Sequence, residues 1–344
     1  MSQNQEAAGL QTEERTICLV CESHDIRHHL TVNSYRVFRC AACGFQFVHP
    51  TPTPADLARY YDQSYAVPLE RYARNSARNT GHIADLERWL PGRGQLLEVG
   101  ASYGHSLAAA RARGWQAAGV ELSPTASRYA RKQFGLPVFT ADLLDAPFAK
   151  RSFDAAIMWH VLEHTHDPSA QVARLFDLLR PSGVLGLRVP NIAGFGARVA
   201  GRSWNWMCPP AHLWYFSPQT LPRLLTQHGF DLLEVATLRG DGNNPYQHTL
   251  IALGGQLNAL RRRLARARIP GQPTPENAPS AIHTSNDDPA AALPNPPALQ
   301  RTWMHLLTQA QPITGALDRA TRPLIAPLEA AGWGDELLCY ARRP

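Results

Sequence analysis

No apolar run in the chain approaches the roughly 18 residues that a bilayer-crossing helix needs, so no transmembrane segment is expected. The opening residues, MSQNQEAAGLQTEERT, have neither a basic start nor an apolar stretch, and no secretory leader is expected either. Charge is scarce: Asp, Glu, Lys and Arg make up 18% of the chain, against about a quarter in an average domain. With 44% hydrophobic residues, this composition excludes wholesale disorder and supplies enough apolar material for a core. Cysteines number six in 344 residues, and the expected compartment is the cytoplasm, where thiols stay reduced. Proline is in excess, at 28 residues, which predicts long loops or a Pro-rich insert. A net charge of +6 permits an anionic partner without demanding one. At roughly 150 residues per domain, the length predicts two domains.

Residues 1–15 are polar and read as a disordered tail, and four of the six cysteines follow within 16–50. Segment 54–92 reads as a helical entry segment, with Tyr60, Tyr61 and Tyr65 among its aromatics and a stop at Pro91-Gly92. From 95 onward strands are expected at Gln95–Val99, Gln116–Glu121, Pro137–Thr140, Phe153–Trp159, Val184–Val189 and Leu232–Leu238. Helices are expected between them, at Ser106–Arg113, Pro124–Phe134, Pro168–Leu179 and Pro218–His228. That alternation implies an α/β fold with a parallel sheet covered on both faces. Beyond 240, Leu253, Leu257, Leu260 and Leu264 form one helical stripe beside Arg261, Arg262, Arg263, Arg266 and Arg268. Residues 270–298 are Pro-rich and read as a disordered linker, 299–330 look helical, and Asp335–Arg342 reads as a strand.

Cys18-x-x-Cys21 and Cys40-x-x-Cys43 are the clearest metal signal. Each CxxC turn aims two thiolates at one ion, and two such knuckles complete a tetrahedron. Four thiolates leave no open position, so a bound zinc would be structural. Four free cysteines or a redox pair are the alternative. Cys208 and Cys339 stand alone and read as packed residues.

Leu96-Leu97-Glu98-Val99-Gly100-Ala101-Ser102-Tyr103-Gly104 is a strand running into a Gly-rich turn and then a helix. Glycines there let the backbone approach a ligand at the sheet's C-terminal edge. Three chemistries compete for this turn. A dinucleotide fingerprint needs glycine where Ser102 and His105 stand. A nucleophile elbow fits the letters through Gly100, Ser102 and Gly104, but that fold places several strands before its elbow. A nucleoside-sulfonium site fits best. Glu98 ends the first strand, Glu121 ends the second where a carboxylate can accept ribose hydroxyls, and Asp142 follows the third near an adenine amino group.

With LLEVGASYG (96–104), GVEL (119–122), TAD (140–142), FDAAIMWHVLEHTHDP (153–168), LRPSGVLGLRVPN (179–191) and HLWYFSPQTLPRLLTQHGF (212–230), the chain resembles the class I S-adenosylmethionine-dependent methyltransferases. It most resembles the bacterial subgroup with an N-terminal zinc ribbon, associated with small molecules, sugars and glycans. The resemblance implies a doubly wound, mostly parallel seven-stranded sheet of order 3-2-1-4-5-7-6 with an antiparallel seventh strand. It implies a zinc ribbon at 16–53, a methyltransferase core at 93–240, a helical insertion at 241–333 and the final strand at 334–344. By position it implies that Glu98, Gly100, Ser102 and Gly104 cradle the methionine part of S-adenosylmethionine and Glu121 the ribose. Leu122, Asp142 and Leu143 would lie at the adenine end, with His160 against the cofactor. Ser102 departs from the family, which more often has glycine there.

Methyl transfer to an oxygen or carbon acid also needs a proton removed, and imidazole titrates in the right range. His160 and His164 follow the fourth strand at the topological switch point, and His212 lies after the fifth. These three are the candidate bases. The alternative is that His160 packs against the cofactor while Glu163 and His164 hold the next helix by hydrogen bonds. Asn191 could contact an acceptor or shape a turn. No Asn/Asp-Pro-Pro-aromatic motif follows the fourth strand, which weighs against exocyclic amines as acceptors. Trp204, Trp206, Trp214, Tyr215 and Phe216 could stack on a sugar or base, or be core under a long loop. The expected acceptor is a small molecule, sugar or glycan precursor. Two alternatives stay open: a nucleic-acid base, given the Arg-rich stretch, and a non-catalytic binding scaffold.

Overall fold

The computed structural model describes residues 17–53, 83–239 and 326–344, with single positions 55, 57, 320, 321 and 323. The expected tail, most of the entry segment 54–92, the Leu/Arg helix at 253–268 and the linker 270–298 lie outside the described residues.

The first sheet is a meander of β1 (Ile26–Val32), β2 (Tyr35–Cys40) and β3 (Gln46–Val48). The second begins with β4 (Gln95–Val99), followed by α1 (His105–Ala112), β5 (Gln116–Glu121), α2 (Pro124–Phe134) and β6 (Val138–Thr140). Then come β7 (Phe153–Trp159), α3 (Pro168–Leu178), β8 (Leu179–Pro190) and α4 (Phe195–Ala200). A short β9 (Trp214–Tyr215), α5 (Thr220–Gln227), β10 (Asp231–Leu238) and β11 (Glu336–Arg342) close the described chain. Local chemistry sets the helix starts. The Ser123 hydroxyl accepts from Ala126 N–H with Pro124 in the first turn, and Asp167 accepts from Ser169 and Ala170 N–H before Pro168 continues α3.

The large sheet runs β10-β11-β8-β7-β4-β5-β6. Numbered within this sheet, that is the expected order 3-2-1-4-5-7-6 read from its other edge. β4, β5, β6, β7 and β8 are parallel, and β11 lies antiparallel to both β8 and β10. Alternate residues of each strand enter different cores. Leu97, Ala156, Met158 and Leu187 face one, while Leu96, Ala155, Ile157 and Tyr340 face the other. Both faces are therefore covered, which is why these strands read as continuous apolar runs.

Several expected boundaries move. The strand expected at Val184–Val189 lies inside the longer β8, which pairs Leu179 with Phe153 and then bulges before Val184 meets Ala155. Strand β1 was not expected, because His28 and His29 break its apolar pattern. The four-stranded sheet has the order β1-β2-β3-β9, so the N-terminal meander takes its last strand from within the 93–240 region. Phe47 and Trp214 stack across that junction at 6.0 Å, and both belong to the same core as the inner face of the large sheet. No helix among the described residues is long and apolar enough to cross a membrane.

Candidate cofactor cleft and histidine cluster

The turn after β4 is built on left-handed backbone: φ is +72° at Gly100, +48° at Ser102 and +81° at Gly104. A Cβ at Gly100 would lie 2.3 Å from the Val161 side chain, which fixes glycine there on packing as well as on φ. At Gly104 a Cβ would lie 2.7 Å from that of Ala130, so this glycine also lets the start of α1 close on α2. Ser102 occupies a conformation that costs a non-glycine residue roughly 1–2 kcal/mol.

The carboxylate of Glu121 repays part of that strain. It accepts Ser102 N–H at 2.8 Å and Ser123 N–H at 2.8 Å, and so clamps the turn to the tip of β5. Glu98 is buried at the tip of β4, where desolvation pushes its carboxyl up to about 8, against the hydrogen bonds from Ser106 and Leu107 N–H and with Glu121 adding repulsion. One Glu98 oxygen, Oε2, and the Ser102 hydroxyl are buried without a hydrogen-bond partner. Asp142 follows β6, and its Oδ1 accepts from Leu144 N–H at 2.9 Å and from the Gln171 amide at 2.8 Å. Beside these acids Leu122 stands 46% exposed while Leu143 is buried. The structure thus brings Glu98, Gly100, Ser102, Gly104, Glu121, Leu122, Asp142 and Leu143 to the tips of three adjacent parallel strands.

The three candidate histidines gather next to that edge, beyond β7. His160 has φ +53° and donates its backbone N–H to Arg188 O at 2.8 Å. Its ring nitrogens lie 3.5 Å from Glu163 Oε1 and 3.5 Å from Glu336 Oε2. Burial works against charge on this ring, but the two carboxylates outweigh it and raise its pKa to about 9. Glu336 is itself fully buried and paired with Arg188. Trp206 stacks on two imidazoles, with ring centroids 5.5 Å from His160 and 5.5 Å from His212. The His164 and His212 rings meet edge to face at 4.6 Å. His164 bonds Ala211 O through Nδ1 at 2.6 Å, and its Nε2 lies 3.7 Å from Glu163 Oε1. Burial, with the charge of His164 added, holds His212 down at about 3.

Sequence reasoning missed two members of this cluster as site residues, Glu163 and Glu336, and weighed Trp206 only as a stacking surface or core. Glu163 offered the one available signal, a carboxylate inside an otherwise apolar turn. Glu336 had none, since it arrives from the far end of the chain. The open choice at Asn191 resolves to shape: it is fully buried, its amide donates to Gly334 O at 2.7 Å, and its oxygen accepts Ala193 N–H. Of the aromatics weighed as a stacking surface, Trp204, Trp214, Tyr215 and Phe216 are buried core.

Cys18, Cys21, Cys40 and Cys43 bring their sulfurs within 4.8 Å of one another, and no disulfide joins them. The pairs Cys18–Cys43 and Cys21–Cys40 stand 3.6 and 3.5 Å apart. Sulfurs about 2.3 Å from one tetrahedral ion are separated by roughly 3.8 Å, so the donor set fits a zinc-sized ion.

A family model described as a methyltransferase domain matches residues 69–235. The O-methyltransferase cnsE of Penicillium expansum is 28% identical over 240 residues, covering 61% of this chain and 84% of that enzyme. A ubiquinone biosynthesis O-methyltransferase of Cereibacter sphaeroides is 30% identical over 162 residues, 43% of this chain, and the chain spans 64% of that enzyme, less than two thirds. Among solved structures, a SAM-dependent methyltransferase from Thermotoga maritima, described as a possible histamine N-methyltransferase, aligns with a TM-score of 0.43 at 22% identity. That alignment covers 55% of this chain and 87% of the other, and at this level it carries no argument about chemistry.

Proposed function

We propose, from the match of residues 69–235 to a methyltransferase-domain family model, that the protein transfers the methyl group of S-adenosylmethionine to an oxygen of a small-molecule acceptor. The observation that carries this reading is the set of buried polar atoms left without partners at the β4 edge. Glu98 Oε2 and the Ser102 hydroxyl lie beside the Glu121 carboxylate, with the exposed Leu122 alongside. An unpartnered buried polar atom costs about 1–3 kcal/mol, and a polar ligand in the cleft recovers it.

In this reading Glu98 and the turn of Gly100, Ser102 and Gly104 hold the amino-acid part of the cofactor. Glu121 accepts from the ribose, and Asp142 with Leu122 and Leu143 bounds the adenine. S-adenosylmethionine supplies an electrophilic methyl on a positively charged sulfur and leaves as S-adenosylhomocysteine. The chain's own task is alignment, which alone contributes much of a transfer of this kind. The acceptor lies between the 160–166 turn and the 191–216 segment, over Trp206, and its proton leaves toward the Glu163, His164 and His212 cluster.

The two relatives described as O-methyltransferases favour oxygen over carbon. A sugar or glycan precursor remains within the small-molecule class. The Arg-rich stretch behind the nucleic-acid alternative lies outside the described residues. A purely binding scaffold gives no role to the unpartnered Glu98 Oε2 and Ser102 hydroxyl at this edge. A structural zinc on the four cysteines would hold the meander that packs through Phe47 on Trp214. Calorimetry with S-adenosylmethionine tests the reading: a folded protein that shows no binding would overturn it. A methyl-transfer assay across hydroxylated small molecules then sorts acceptor classes.

A further inference from the structure

Glu163, His164 and His212 each offer one ligand atom, all within 4.8 Å of one another. The fold does not account for this gathering. Glu163 is 1% exposed, yet neither of its carboxylate oxygens has a hydrogen-bond partner. The nearest ring nitrogens, His160 Nδ1 at 3.5 Å and His164 Nε2 at 3.7 Å, stand too far for good hydrogen bonds. The imidazoles of His160, His164 and His212 surround it, yet neither oxygen is held by a direct hydrogen bond.

One imidazole is already oriented from behind. His164 gives Nδ1 to the Ala211 carbonyl at 2.6 Å, which leaves Nε2 facing Glu163. His212 is 4% exposed and its Nδ1 has no hydrogen-bond partner. A carbonyl behind the ring, as at His164, is the outer support that metal-ligating histidines use. The two contributing segments are also tied together, since Leu213 N–H donates to Glu163 O at 2.8 Å. Donors about 2.0–2.2 Å from one ion sit roughly 3–3.5 Å apart, so small side-chain rotations bring this set onto a single ion.

We propose that Glu163, His164 and His212 form a divalent transition-metal site, distinct from the four-cysteine cluster. Two imidazoles and a carboxylate suit zinc, iron, cobalt or nickel better than magnesium or calcium. Three protein ligands leave a position open for water or an acceptor oxygen. The acceptor part rests on the oxygen-methylation reading above, and the metal binding does not.

The full-length chain, stripped with a chelator and dialysed against Co2+, tests this. One equivalent with thiolate charge-transfer absorption is expected on the cysteines, and a second without it on the new site. Glu163→Gln and His212→Gln should each lose the second equivalent and keep the thiolate band. A wild-type protein that holds only thiolate-bound cobalt overturns the site, as does retention of the second equivalent by both variants. If the variants do not fold, X-ray absorption at the cobalt edge of the wild type decides. A nitrogen/oxygen shell beside the sulfur shell supports the site, and sulfur alone overturns it. Calorimetry with S-adenosylmethionine on the same preparations separates the two readings. Cofactor binding without the second metal removes only the metal site, and the second metal without cofactor binding removes only the methyltransferase reading.

Discussion

The tips of β4, β5 and β6 and the cluster beyond β7 both hold buried acids, yet they are built from different distances along the chain. Glu121 reaches back 19 positions to Ser102 and two forward to Ser123. In the cluster, Arg188 pairs with Glu336 across 148 positions, and His164 reaches Ala211 across 47. The near site holds Glu121 with backbone N–H groups of its own turns and leaves one Glu98 oxygen open. The far one meets its charges with side chains from four segments and leaves the Glu163 carboxylate without hydrogen bonds. Cofactor affinity should therefore respond to the first region, and turnover and stability to the second.

The sharpest separation comes from His164→Gln. Methyl transfer should fall about 10²–10⁴-fold, the usual contribution of assisted proton removal, while calorimetry reads a cofactor affinity close to that of the wild type. Equal losses in both would merge the two regions into one. Glu336→Ala removes the carboxylate paired with the buried Arg188 and should lower unfolding stability by about 3–5 kcal/mol in a denaturant titration. A loss below ~1 kcal/mol would show that the cluster is not held by its long-range charges.

Glu121→Ala probes the other side. Removing a charged acceptor of two backbone N–H groups should weaken S-adenosylmethionine binding by about 10–100-fold. If turnover at saturating cofactor fell further than affinity, the division of labour would be wrong. The smallest effect is a proton. Burial raises Glu98 from 4.5 to about 8 in the cofactor-free fold. Its folded value exceeds its unfolded one, so this contribution to stability is fully present below 4.5 and is lost as pH rises through about 8. A cationic ligand beside it favours the carboxylate, so binding at neutral pH should release a fraction of a proton. Calorimetry in buffers of differing ionisation enthalpy reads that release, and Glu98→Gln should abolish it.

How much was legible follows the same division. Gly100 and Gly104 announced the turn because glycine is most at ease with its backbone, Glu98 stood two residues before it, and Glu121 ended the next strand. The cysteine pairs were equally plain, since each CxxC knuckle is a local turn. Helix starts at Ser123-Pro124 and Asp167-Pro168 were readable for the same reason. His160, His164 and His212 could be named from their places after strands, but not their arrangement around Glu163. Trp206 looked like its four aromatic neighbours until packing put it against two imidazoles.

By itself the sequence determined the alternation of strands and helices, the glycine turn after β4 and the four-thiolate set. Each of these depends on hydrogen bonds and steric limits that act over a few residues. Tertiary structure alone decided that Trp214 and Tyr215 would complete the N-terminal sheet and that Glu336 would meet Arg188 beside His160. Such contacts follow from closing long stretches of chain onto a sheet, and that closure leaves no period or spacing in the residues themselves.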